Sequence, residues 1–529
     1  MTDKLISDLW EDIVGSSASD IDGNCNLESI VDQMRQSHSF TDVIHQISIE
    51  LQSCTCSPLC KLNLVVVFVQ LCPEIYFECN HQEEMLIASS TKNTFSEDND
   101  VKLLQKIVTH AYVEEFRDRE IYEYTADDFP NAVTRANLVF KSFTLLLQNQ
   151  KASKRIFCRN ESLDLVALLC SLAASHAEPG PWTSETTVVA ANSIINALAK
   201  FYSCRNSQEL LLLANEHGFT NPEDSWHTKS IFRKILNLNQ PRLRKENWNK
   251  NPFAKAAFCW CLGNVEHPYL SFYLDHVLTP VLLFVDDFVS EHKLTGIKYL
   301  NYIIDNVSKE ELRWYNRDAV IFDALKHQLF TQEESVLETT LSSLLSILSI
   351  LEKPPSKLEN ISYNRYDEIF TSVLYNAQIE NQLSFRRVYT SYIPKFIHLM
   401  GMTVVRHTKQ FLQLVESYLE IYDGPHEVAR LNVLASLKSF IKVSWPRIQH
   451  HNDKLVKILL RLVYDVAVED VYVIPNDVKQ KVISEVVEIL GILRMLNKER
   501  VENLLHAVSG KLNIPAFQEA VESVLNICI

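Results

Sequence analysis

Residues 276–307 read HVLTPVLLFVDDFVSEHKLTGIKYLNYIIDNV. The first half is apolar almost throughout and ends at Asp286–Asp287, where a short turn follows. In the second half Leu294, Ile297, Leu300, Ile303, Ile304 and Val307 recur in steps of three and four. That is the single apolar stripe of an amphipathic helix. The stretch therefore predicts two helices joined as a hairpin. Pro280 falls inside the first, where it removes one backbone N–H and bends the helix. Gly296 falls on the second, where a missing Cβ permits close helix approach. Asp287 and Lys293 stand six apart across the turn. An aspartate there can bond turn amides and tie neighbouring hairpins together.

The arrangement recurs more loosely at Leu412–Val443. Asp423 marks that turn, Arg430 follows seven residues on, and Leu431, Leu434, Leu437 and Ile441 form the stripe. Helix pairs begin near Tyr273, Trp314, Tyr366, Val405, Asn452 and Glu499, spaced about 39 to 52 residues apart, near the period of HEAT and armadillo arrays. One hairpin cannot cover its own apolar face, so hairpins stack and share a continuous core. Thr340–Leu351 (TLSSLLSILSIL) reads as a helix buried on most sides, stopped by Pro354–Pro355. Glycine usage agrees. There are 10 glycines in 529 residues, far below the roughly 7% of average chains, and sheets and phosphate-cradling loops need more. The expected fold class is all-α, a HEAT/armadillo-like helical-repeat solenoid.

The net charge of −15 is unevenly spread. Residues 1–130 carry 24 acids against 8 bases, a net of −16, so the remaining 399 residues sit near +1. Broad nucleic-acid affinity needs basic surface and is not expected. Three regions follow. Residues 1–100 are acidic and loosely helical: a loop at Ser16–Asn26, a helix pair at Asp42–Leu71 and a linker at Ser89–Asp100. Residues 101–236 are helical, with helices at Val101–Glu123, Val133–Leu147, Leu163–Ala174 and Thr186–Tyr202 and a loop at His176–Thr183. After the polar stretch Asn237–Asn251, residues 252–529 form the repeat array. The 12 cysteines are scattered, and Cys170 and Cys259 lie in apolar helical stretches, which reads as buried, reduced thiols. Residues 1–10 carry acids early and no apolar segment, so no secretory address is expected. The longest purely apolar runs, such as Leu64–Val69, are far short of a membrane span. A soluble protein of cytoplasm and nucleus is expected.

Chemistry is sparse. The phosphate-loop, dinucleotide, nucleophile-elbow and HExxH patterns are all missing from the sequence. Cys54, Cys56, Cys60, Cys72 and Cys79 gather near His81, but Cys60 and Cys72 flank a strongly apolar helix. Buried thiols are expected there, not the four converging ligands of zinc. Asp286 and Asp287 are adjacent and so converge poorly as a catalytic pair; a turn role is expected. Lys229–Lys255 interleaves Arg233, Lys234, Arg242, Arg244, Lys245 and Lys250 with Trp226 and Trp248. Single-strand binding and an acidic protein partner both suit that pattern, beside a plain solvated connector. His450–His451 has no third ligand in view and reads as an exposed loop pair. No catalytic, cofactor or metal residue is expected.

Thr279–Pro280, Asp286–Asp287, Lys293, Gly296, Leu300 and Tyr315–Asn316–Arg317, with the later SWPRI at Ser444–Ile448, resemble the Tel-two-interacting protein 2 family. The resemblance covers roughly residues 250–500. It implies a helical-repeat subunit of the Triple T complex, beside Tel-two and Tel-two-interacting protein 1 subunits. That complex serves as a co-chaperone with the heat-shock-protein-90 machinery for PI3-kinase-related kinases. A non-enzymatic scaffold is thus expected, its binding energy concentrated in a few exposed aromatics and arginines. Trp445 and Arg447 are the candidates, although a tryptophan packed at a repeat junction fits equally. The other reading is an importin-type adaptor gripping basic peptides through an acidic groove. The placement of acid in the N-terminal quarter, and not along the repeats, weighs against it.

Overall fold

The structure is a computed structural model. It describes residues 101, 104–105, 107–109, 111–112, 124–148, 150–158, 162–214, 226–357, 362–468, 474–509, 511–512 and 514–526. The expectations for residues 1–100, including the cysteine cluster with His81, lie outside them. No strand occurs among the described residues, and the chain is an all-α helical-repeat protein. It divides into two compact units, residues 1–283 and 284–529.

In the first unit the helices are α1 (Ala132–Gln148), α2 (Gln150–Phe157), α3 (Ser162–His176), α4 (Glu185–Phe201), α5 (Ser207–Leu212), α6 (Ile231–Asn239), α7 (Pro252–Gly263) and most of α8 (Leu274–Val285). The α3 sequence, SLDLVALLCSLAASH, is apolar around nearly its whole circumference. Such a helix must be central, and α3 packs against α1, α2, α4, α6 and α7. The turn before α4 is closed by Ser184, whose hydroxyl accepts from the Thr187 amide as an N-cap. Trp182 bonds back to the Ser175 carbonyl at 2.8 Å.

Burial governs the titratable groups here. The Cys170 thiol is pushed up to about 12, first by desolvation, and Cys259 and Cys261 are buried, as expected of structural thiols. His176, fully buried, sits against the rings of Phe140 and Phe253, and desolvation lowers its pKa from 6.5 to about 4. Below pH 6.5 the unfolded chain takes up a proton that the folded chain refuses. Stability is therefore present above that pH and lost as pH falls toward 4. At about 1.4 kcal/mol per unit the loss is about 3 kcal/mol. Urea midpoints measured across pH 7 to 4.5 should fall less steeply for His176→Leu than for the wild type.

Asn237–Asn251 is folded structure within the first unit and not a solvated connector. Leu243 and Trp248 are buried, and Arg242 lies over the Tyr112 ring at 5.2 Å.

The second unit holds the end of α8, then α9 (Ser290–Asn306), α10 (Lys309–Arg313), α11 (Arg317–His327), α12 (Glu334–Leu351), α13 (Arg365–Ile379), α14 (Leu383–Met400), α15 (Thr408–Glu420), α16 (Val428–Ile448), α17 (Asn452–Val468), α18 (Asn476–Leu496), α19 (Lys498–Val508) and α20 (Pro515–Leu525). Two layers are evident from the packing. Helices α9, α12, α14, α16, α18 and α20 stack in succession, and α13, α15, α17 and α19 stack in a second row. Within each pair, as in α13 with α14 or α15 with α16, one helix from each row packs on the other. This is the repeat physics expected from the sequence: each hairpin buries its stripe on the next. Helix α12 is long and apolar enough to cross a membrane by length and composition, but half of that stretch is buried and it packs on α9, α11 and α14.

Charged pairs tie successive repeats. Arg387 of α14 donates to both oxygens of Asp423, each at 3.2 Å. Arg406 and His407 both reach the buried Asp367, each at 2.8 Å. Lys438 bonds Glu485 and Glu488, and Arg500 bonds Asp453.

Candidate partner-binding surface

The hairpin read first from the sequence shows how the repeat geometry is fixed. Pro280 lies inside α8, on the first-unit side of the division. Asp286 is exposed. Asp287 accepts from the Val289 amide at 2.7 Å, closing its own turn. The basic group facing it is His292, at 3.5 Å, and not Lys293, whose described contact is a backbone bond to the Val289 carbonyl. Asp423, by contrast, accepts from both the Ala429 amide, at 2.7 Å, and Arg387 of the preceding hairpin. Arg430 turns instead to the buried Glu427 at 3.2 Å. At Gly296 the α8 backbone comes close: a Cβ built there would lie 2.5 Å from the Val285 nitrogen.

Because the helices alternate direction, the turns after α9, α12, α14, α16 and α18 fall on one edge of the stack. Helix α16 is bent at Ser444, whose φ of −111° and ψ of 17° leave the helical region, just before Pro446. Trp445 is 53% exposed, and Pro446 and Arg447 are exposed beside it. Trp445 is thus not packed into a repeat junction. On the same edge, before α11, Trp314 is 60% and Tyr315 85% exposed. Tyr315 and Asn316 both have left-handed backbones, with φ of 57° and 55°, and Arg317 lies over the Tyr315 ring at 5.2 Å. Two successive non-glycine residues in that region store strain that surrounding structure must hold. Met402 and Met495 are exposed along the same edge. Exposed tryptophan, tyrosine and arginine on a rigid edge are the side chains that dominate protein interfaces. Sequence reasoning marked Trp445 and Arg447 but used Trp314 only as a helix start, since the left-handed turn that presents Trp314 and Tyr315 has no sequence signal in a non-glycine pair.

The other candidates fall elsewhere. Arg244 and Lys245 border a cleft of about 470 Å³ in the first unit with His276 and Pro280, but Glu246 and Asp275 line it too and offset the two cations. His450 is exposed and His451 half-buried in a short turn. No group of three metal-ligating side chains comes together among the described residues.

The Tti2 family matches residues 168–421. That region belongs to the Tti2 family. TELO2-interacting protein 2 of Homo sapiens is 33% identical over 335 residues, 63% of this chain and 64% of that protein. The Rattus norvegicus protein of the same name is 32% identical over 336 residues, 63% of each chain. The matches thus span less than two thirds of these relatives. The Tti2 region runs from α3 to just past α15 and includes the Tyr315 turn, whereas Trp445 and Arg447 lie beyond it. Among solved structures, a chain from a structure of Kap95p with RanGDP has a TM-score of 0.44 at 14% identity, covering 98% of this chain and 61% of that one. An importin beta structure has a TM-score of 0.42 at 10% identity, covering 98% and 77%. At such scores the likeness says nothing about what this chain binds.

Proposed function

We propose that this chain is a non-enzymatic scaffold subunit of a Triple T-type complex. It holds Tel-two and Tel-two-interacting protein 1 subunits, and through them supports folding and assembly of PI3-kinase-related kinases with the heat-shock-protein-90 machinery. Cytoplasm and nucleus are the compartments that go with this role. The observation that carries the reading is the 33% identity over 335 residues to a protein named for interaction with TELO2. The exposed edge supports it physically. A repeat array binds along an extended surface with little change in each repeat, and Trp314, Tyr315, Trp445 and Arg447 supply rigid anchors on one.

The test is a pull-down with the purified full chain as bait and the two partner subunits as prey. The wild type should retain at least the Tel-two-interacting protein 1 subunit. Replacing Trp445 and Arg447 together by alanine should weaken binding at least tenfold, the scale of a lost hot spot, with the circular dichroism spectrum unchanged. A folded wild type that retains neither subunit refutes the proposal.

A further inference from the structure

The opposite edge of the second unit has a different chemistry. It is formed by the turns that enter α9, α12 and α14, three helices that stack in succession. Each turn carries a large apolar side chain in solvent: Phe288 at 71% exposure, Phe330 at 69% and Ile379 at 60%. Each is flanked by carboxylates. Asp286 and Glu291 stand beside Phe288, Glu333 and Glu334 beside Phe330, and Glu380 beside Ile379. The first four of these carboxylates are exposed and make no ion pair among the described residues. Cations near the edge are few or committed: His292 faces Asp287, Lys326 bonds Glu368 and Lys293 is half-buried. Glu291 and Glu334 sit in first helical turns, where a carboxylate also opposes the helix dipole. Asp286, Glu333 and Glu380 lie outside helices and have no such role. The second unit carries 31 acids against 27 bases, and five of the acids flank these three apolar side chains.

We propose that this edge binds a basic amphipathic helix of a partner protein. Large apolar side chains in solvent, one per repeat, mark a docking row, and the flanking carboxylates require a cationic occupant. Spacing selects its form. Stacked helices lie roughly 8–10 Å apart, and a helix advances about 1.5 Å per residue. Apolar residues at about every seventh position of a partner helix therefore meet successive turns, with lysine and arginine on their flanks.

The test uses the full chain and a fluorescein-labelled 18-residue peptide with leucine every seventh residue and lysine or arginine at the flanking positions. Fluorescence anisotropy should show saturable binding that weakens as salt rises. A twin peptide with glutamate at the cationic positions should bind at least tenfold more weakly. The double variant Phe288→Ala/Phe330→Ala and the double variant Asp286→Lys/Glu333→Lys should each lose at least tenfold for the basic peptide. All four residues are exposed at turns, so folding is retained. Both variants should still retain the Tel-two-interacting protein 1 subunit in the pull-down, which separates this site from the aromatic edge. Absence of saturable binding, or equal binding by the wild type and either double variant, overturns the proposal.

Discussion

Gly296→Ala should lower the thermal unfolding midpoint of the full chain by about 2 to 8 °C, even though the substitution favours a helix. Alanine inside α9 gains about 1 kcal/mol of helix propensity over glycine. Against that, its Cβ would meet the Val285 nitrogen at 2.5 Å, the Val285 Cγ2 at 2.8 Å and the Phe284 carbonyl carbon at 2.9 Å. Two of those atoms are backbone and cannot rotate away. The end of α8 must move off α9, or α9 must rotate and unseat Ile297, Leu300 and Ile303, all fully buried. Overpacking of this kind costs typically about 1–3 kcal/mol and sometimes more, and about 2–4 °C per kcal/mol is usual for a unit of this size. Gly180→Ala is the control. Its nearest neighbours are Trp182 ring atoms at 3.7 Å, an ordinary contact, so its midpoint should stay within about 1–2 °C of the wild type. Differential scanning fluorimetry of the three proteins decides the matter.

Asp367→Ala should be more damaging still. The carboxylate is fully buried at the start of α13. One oxygen lies 2.8 Å from Nε2 of His407 and the other accepts from Arg406 at 2.8 Å and from the Asn364 amide at 3.2 Å. It therefore caps its own helix and anchors the segment Gly401–His407 that opens the next hairpin. Removing it takes from the buried His407 imidazole its partner at Nε2, while the exposed Arg406 keeps its bond to the Ser362 carbonyl. Breaking a buried charged pair from one side costs about 3–5 kcal/mol. Asp367→Asn keeps the shape and one acceptor, and should lose less. Urea denaturation followed at the helix signal should place the three midpoints in the order wild type, Asp367→Asn, Asp367→Ala. Equal midpoints for wild type and Asp367→Ala would mean that this network does not tie the repeats.

Asp367 also shows where sequence reasoning reaches its limit. The stripe Leu294–Val307 announced α9 almost residue for residue, because apolar periodicity is a local property of the chain. Gly296 was legible for the same reason: a glycine inside a stripe has few explanations besides close approach. The ties between repeats were not legible. Asp367 meets Arg406 and His407 some forty residues away, and Asp423 meets Arg387 on a helix of the hairpin before it. Spacing placed Lys293 and Arg430 after their turn aspartates, but not that His292 faces Asp287 or that Arg430 pairs with the buried Glu427. Nor could the sequence sort its acids. Composition, 31 acids against 27 bases in the second unit, hides an edge on which Asp286, Glu291, Glu333 and Glu334 gather, since which turns share an edge is known only once the helices are stacked. Trp445 was visible as part of a motif, but its exposure depends on the bend at Ser444.

The central claim is that the chain works by holding partners. Tagged full-length chain and its Trp314→Ala/Trp445→Ala/Arg447→Ala variant, each purified from cells and followed by mass spectrometry, test it most directly. The account predicts that the wild type recovers Tel-two and Tel-two-interacting protein 1 subunits together with PI3-kinase-related kinases, and that the equally folded variant loses most of them. Recovery of none of these partners by a folded wild type would contradict it.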